Sequence, residues 1–83
     1  MRKITDQALE DRGFSPFTYR SSITGEDITE YYIHLNNITI EADKNKSFRM
    51  WSYGTEPHDI NVETVEELDV LLKVLGRKEV SNA

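Results

Sequence analysis

Residues 31–53, YYIHLNNITIEADKNKSFRMWSY, constrain the fold of this chain more than any other stretch, because they specify three antiparallel strands and both intervening turns. Asn36-Asn37 separates two runs of alternating character, and asparagine tolerates the positive φ that both central residues of a type I′ turn require. A two-residue loop centred there pairs Leu35 with Ile38, Ile33 with Ile40 and Tyr31 with Ala42. The second turn reads Asp43-Lys44-Asn45. A type I turn followed by a left-handed residue, here Asn45, is a common three-residue hairpin loop. It predicts Ala42 opposite Lys46, Ile40 opposite Phe48 and Ile38 opposite Met50. Chosen independently, the two turns place Tyr31, Ile33, Leu35, Ile38, Ile40, Phe48 and Met50 on one face. A one-residue slip in either hairpin sets Arg49 beside Ile40 or Ile33 beside Thr39, so the hydrophobic pattern selects the face.

The flanking segments follow simpler signals. Thr5 or Asp6 caps a short helix with Ile4, Ala8 and Leu9 on its apolar side and Gly13 as its stop. Residues 14–20 read as a first strand with Phe17 and Tyr19 on one side. Pro16 lacks a ladder N–H, which puts that strand at the sheet edge or delays its start. Residues 54–61, containing Pro57, read as an irregular crossing. Thr64 and Glu67 form a capping box that opens a second helix, and Gly76 stops it. Along that helix Asp69 and Lys73 stand at i,i+4 spacing, a favourable pair. Val65, Leu68, Leu71, Leu72 and Leu75 give it a core stripe at helical spacing. Val70 and Val74 fall beside the stripe and require a neighbour, either the first helix or a second copy of the protein.

The expected architecture is therefore α+β. A four-stranded antiparallel sheet, the meander 29–53 plus an N-terminal edge strand, carries a C-terminal helix 64–75 across one face. The short N-terminal helix is expected at an edge or on the other face, and residues 77–83 as a frayed tail. Eighty-three residues make one domain, 1–83, with a single core. The chain has no cysteine, which excludes disulfides, thiolate catalysis and cysteine-based zinc sites. MRKITDQALEDRG lacks the apolar core of a signal peptide, and no apolar stretch reaches membrane-spanning length. The expected location is cytoplasmic, and on that reading the sequons at Asn37 and Asn45 are accidents of composition.

Net charge −5 disfavours a dedicated duplex-DNA binder. No catalytic constellation is present, so the chain reads as non-enzymatic, without cofactor or metal. His34 and His58 lie in different elements, and His58-Asp59 offers too few acceptors to define a cation site. The sheet face opposite the core is the candidate surface. Tyr32, His34, Thr39, Glu41, Arg49, Trp51 and Tyr53 all alternate onto it. Three aromatics and an arginine match the composition of protein-binding hot spots. The expected partner-binding residues are Tyr32, His34, Arg49, Trp51 and Tyr53. A competing expectation is that the first helix covers part of this face and its aromatics line a second small core layer. The functional alternative is single-stranded nucleic acid stacked on Tyr32, Trp51 and Tyr53, with Lys44, Lys46 and Arg49 alongside.

The short helix, the Gly13-Phe14 start, the Leu-Asn-Asn-Ile hairpin at 35–38 and the closing Thr-Val-Glu-Glu-Leu helix at 64–68 resemble small uncharacterised proteins of Bacteroidetes genomes and their phages. The resemblance spans most of the chain and brings no functional residues with it. It implies a phage or mobile-element origin and, by analogy, a protein that modulates a host protein by binding it.

Overall fold

A computed structural model describes residues 2–76. The expected tail, 77–83, lies outside the described residues. Thr5 opens helix α1 (Asp6–Asp11), its Oγ1 accepting the Ala8 N–H at 3.1 Å. Gly13, at φ +93°, ends the turn that follows. Five strands come next: β1 (Ser15–Arg20), β2 (Asp27–Leu35), β3 (Ile38–Ala42), β4 (Phe48–Ser52) and β5 (His58–Ile60). They form one sheet in chain order, each antiparallel to the next. Helix α2 (Val65–Val74) closes the described chain, with Thr64 and Glu67 making both halves of the capping box.

The fold class is thus α+β, with Pro16 in an edge strand, and the sheet has a fifth strand that the sequence reading missed. His58, Asp59 and Ile60 pair with Met50, Arg49 and Phe48. Three residues after a proline carry too short an alternation to register as a strand, and the pairing depends on tertiary context.

The first hairpin has the expected pairs, Leu35 with Ile38, Ile33 with Ile40 and Tyr31 with Ala42. Only Asn36 of its two central residues takes a positive φ, 56°, so the turn departs from type I′. The second hairpin is shifted. Ala42 faces Phe48, Ile40 faces Met50 and Ile38 faces Ser52. The loop is Lys44-Asn45-Lys46, one residue later than expected, and Lys46 rather than Asn45 is left-handed, at φ 64°.

Asp43 accounts for this shift. From the first position of the turn its Oδ1 accepts the N–H groups of Asn45 at 2.8 Å and Ser47 at 2.9 Å. Its carbonyl accepts the Lys46 N–H at 2.9 Å. Those bonds offset the roughly 1–2 kcal/mol penalty of a left-handed lysine. Moving the loop by one residue moves the pairing by two, so every side chain keeps its face. Tyr31, Ile33, Ile40 and Phe48 are accordingly buried, and Leu35, Ile38 and Met50 pack against them.

Both helices cover that one face. Leu9 of α1 and Val65, Leu68 and Leu72 of α2 belong to the same core cluster as Ile40 and Phe48. Phe14 meets Phe48 edge-on, with ring centroids 6.5 Å apart. Arg12 donates from Nε and Nη2 to the two carboxylate oxygens of Asp69, at 2.6 and 3.1 Å, joining α2 to the residue that caps α1. Asp69 thus serves a tertiary contact beyond the local pair with Lys73 expected of it. The hydroxyl of Tyr31 donates to Glu10 at 3.1 Å. The expectation that α1 sits at an edge or behind the sheet is therefore corrected. Its two turns bury Leu9 completely only by sharing the core with α2. Nor does α1 cover the valine flank of α2, where Val70 is 63% and Val74 75% exposed.

The start of the described chain is tied to α2. The Val65 N–H donates to the Arg2 carbonyl at 2.9 Å, and Lys3 bridges Thr64 in antiparallel fashion. Arg2 donates its backbone N–H and its Nε to the Glu66 carboxylate, at 3.1 and 2.8 Å. These bonds from Arg2 lower the Glu66 carboxyl from 4.5 to about 2. A carboxylate depressed in the folded state adds stability above its unfolded value, and that contribution disappears as pH falls through the folded value. Glu66→Gln is therefore expected to flatten the stability profile between about pH 4.5 and pH 2, with little change at lower pH. Urea unfolding of both proteins across that range measures it.

Candidate functional site

With both helices on one side, no described element covers the opposite face of the sheet. Strand alternation places its side chains in rows. One row runs Ser15, Tyr32, Glu41, Arg49, Asp59 across all five strands. Neighbouring rows hold Phe17 with Glu30, Tyr19 with Ile28, and His34 with Thr39 and Trp51. The face is thus made by cross-strand neighbours contributed from every strand.

Its aromatic rings touch in sequence. Phe17 lies 6.0 Å from Tyr19, and Tyr32 meets Phe17 at 6.4 Å and Trp51 at 6.5 Å, both edge-on. The four rings form a continuous strip from β1 to β4, passing over the smaller Thr39 and the buried Glu41 on β3. Phe17, at 56% exposure, is the most open member. Tyr53 is not in the strip. It follows the end of β4, is 98% exposed, and with Asn36, Asn37, Thr39 and Trp51 lines a shallow hollow of about 320 Å³.

A polar network lies beneath the rings. Glu41 is only 4% exposed, and its Oε1 accepts from Arg49 Nε at 2.9 Å and from Nη2. The Tyr32 hydroxyl is 2.8 Å from Glu41 Oε2 and 2.8 Å from Glu30 Oε1. Its single proton serves one carboxylate at a time. Burial, then the contacts with Glu41 and Glu30, drive the Tyr32 phenol far above its usual range and keep it protonated. Tyr19 donates to Glu30 Oε2 at 3.3 Å, and desolvation together with the Glu30 charge raises its pKa too. The Arg49 guanidinium is raised chiefly by its bonds to Glu41.

The structure thus brings Tyr32, His34, Arg49 and Trp51 together on one exposed face and leaves Tyr53 at its margin. His34 Nδ1 is engaged with Thr39 Oγ1 at 2.8 Å. The alternative in which α1 buries this face is overturned, since Leu9 carries α1 into the other layer. Lys44, Lys46 and Arg49 do not form a common basic edge. Lys46 Nζ pairs with Asp6 at 2.7 Å beside α1, whereas Arg49 lies against Glu41. His58 and Asp59, consecutive in β5, alternate to opposite faces.

Phe17, Tyr19 and Glu30 are the site residues that sequence reading missed. The signal lay in the hairpin that joins β1 to β2. A loop closed between Ser21 and Glu26 pairs Arg20 with Asp27, and counting inward sets Phe17 opposite Glu30 on the side of Tyr32. No helix among the described residues is long and apolar enough to cross a membrane. Comparison of the chain with family models, curated proteins and solved structures gives no match.

Proposed function

We propose that the protein is a non-enzymatic, cytoplasmic binding protein of phage or mobile-element origin that engages another protein through the Tyr19–Phe17–Tyr32–Trp51 strip. The observation carrying this reading is a sheet face that is aromatic from β1 to β4 and covered by neither helix. Aromatic side chains on a rigid sheet lose little entropy on contact and bury much area, which is why they dominate interface energetics. Cofactor chemistry forms no part of this reading.

Nucleic acid is the weaker alternative. A phosphate backbone needs unneutralised lysine and arginine, whereas Lys46 and Arg49 are paired and three carboxylates, Glu30, Glu41 and Asp59, share the face with Arg49. Labelled single-stranded oligonucleotides are expected not to bind even at low salt. Salt-sensitive binding that weakens when Arg49 or Lys44 is neutralised would reverse the ranking.

Trp51→Ala is expected to abolish capture of the partner from source-cell lysate while the domain still unfolds cooperatively. The edge-on contact with Tyr32 is worth only about 0.5–1.5 kcal/mol. Retained capture by both Trp51→Ala and Phe17→Ala refutes the binding face. Val70 and Val74, exposed on α2, are proposed as a separate contact with a second copy. Sedimentation at micromolar concentration is then expected to show a species heavier than 9.6 kDa that Val74→Glu returns to monomer. A single 9.6 kDa species removes the homodimer.

A further inference from the structure

We propose that the partner places a cationic side chain, an arginine or lysine of a basic polypeptide segment, on the Tyr19–Phe17–Tyr32 end of the strip, with Glu30 as its counter-ion. This inference rests on the protein-binding reading of the face and specifies the chemistry of what binds.

Glu30 stands among the rings. Phe17 is its cross-strand partner, and the Tyr19 and Tyr32 hydroxyls are 3.3 and 2.8 Å from its two oxygens. Among the described residues no lysine or arginine forms an ion pair with it; Arg49 feels its charge but is bonded to Glu41. The nearest cation of its own strand pair, Arg20, lies beside Asp27 at the hairpin end, 3.5 Å away. The Tyr32 hydroxyl is shared between Glu30 and Glu41, so one of these two neighbouring carboxylates always lacks its proton. With Asp59 opposite Arg49, the face carries more negative charge than its one guanidinium balances. An incoming cation relieves that imbalance.

The rings select the same chemistry. Aromatic faces attract ammonium and, more often, guanidinium groups, and a guanidinium also stacks on them and bonds a carboxylate through its fork. Other occupants are disfavoured by charge. A second copy meeting the face symmetrically would bring two surfaces of the same net negative charge together. Phosphates or an acidic peptide would meet the same repulsion.

The test uses a fluorescein-labelled peptide of alternating arginine and threonine, and its counterpart with glutamate in place of arginine. Anisotropy titrations measure affinity, and amide chemical shifts locate the contact. The arginine peptide is expected to bind and to shift Phe17, Tyr19, Glu30 and Tyr32, and the glutamate peptide not to bind. Glu30→Gln and Phe17→Ala are each expected to weaken binding about tenfold. Glu63→Gln, which removes the same charge from an exposed residue before α2, is expected to leave it unchanged. The proposal is overturned by no binding of the arginine peptide, by equal binding of the glutamate peptide, by equal losses in Glu30→Gln and Glu63→Gln, or by shifts confined to other surfaces. Capture of the partner that requires Trp51 yet survives Glu30→Gln refutes the cation contact alone, whereas capture indifferent to Trp51 and Phe17 refutes the binding face itself.

Discussion

Leu68→Ala and Ile40→Ala are each expected to lower the stability of the domain by about 2–4 kcal/mol. Both side chains are fully buried, one on α2 and one at the centre of β3, and both belong to the single core cluster. Removing three carbons from either leaves a cavity that β3, bonded on both sides, cannot collapse to fill. A chain of this size has on the order of 4–12 kcal/mol in total, so either change takes a large fraction of it. In a domain of 60–100 residues each kcal/mol shifts Tm by about 4–8 °C, which makes a melting curve sufficient. Losses below about 0.5 kcal/mol at both sites would contradict the packing of α2 on the sheet.

Arg49→Met is expected to cost about 1–2 kcal/mol, because it leaves the buried Glu41 carboxylate without its cation. Breaking a fully buried pair costs more, but the Arg49 side chain is half exposed and its attraction is partly screened by solvent. The informative comparison is the cycle. In a Glu41→Leu background the same Arg49→Met change is expected to be near neutral, since no carboxylate is left stranded and the methionine covers the leucine. A cost equal in both backgrounds, measured by urea unfolding, would show that the two side chains are not coupled.

The contrast between what alternation encodes and what it omits runs through the fold. The face occupied by Ile33, Ile40 and Phe48 was legible because a core residue on the wrong side is penalised at every position. The exact partner of Phe48 was not, because a two-residue shift preserves the faces and leaves turn chemistry to decide. Asp43 accepting two backbone N–H groups outweighed the preference of Asn45 for a left-handed conformation. Helix α2 was readable from Thr64, Glu67 and Gly76, whose roles are local. The side of the sheet chosen by α1 was not, since six residues with one deeply buried leucine could pack on either face. At the candidate site, Tyr32, His34, Arg49 and Trp51 followed from parity within the meander. Phe17, Tyr19 and Glu30 needed the register of a separate hairpin, whose loop, 21–26, shows a turn at Gly25 but is long enough to leave the pairing open.

The antiparallel bridge between Lys3 and Thr64 bears on how this chain is made. Synthesis delivers Arg2 and Lys3 long before the segment that they join, and Leu9, Phe14 and Ile40 before the helix that shields them. A folding chain that has closed its hairpins but not yet docked α2 therefore presents an apolar sheet surface with only α1 to cover it, a state prone to association. Closure waits on contacts distant in sequence, which slow folding relative to helical domains of equal size. Until α2 docks, that surface stays open, so the interval between hairpin closure and the docking of α2 is when this chain is most exposed to association.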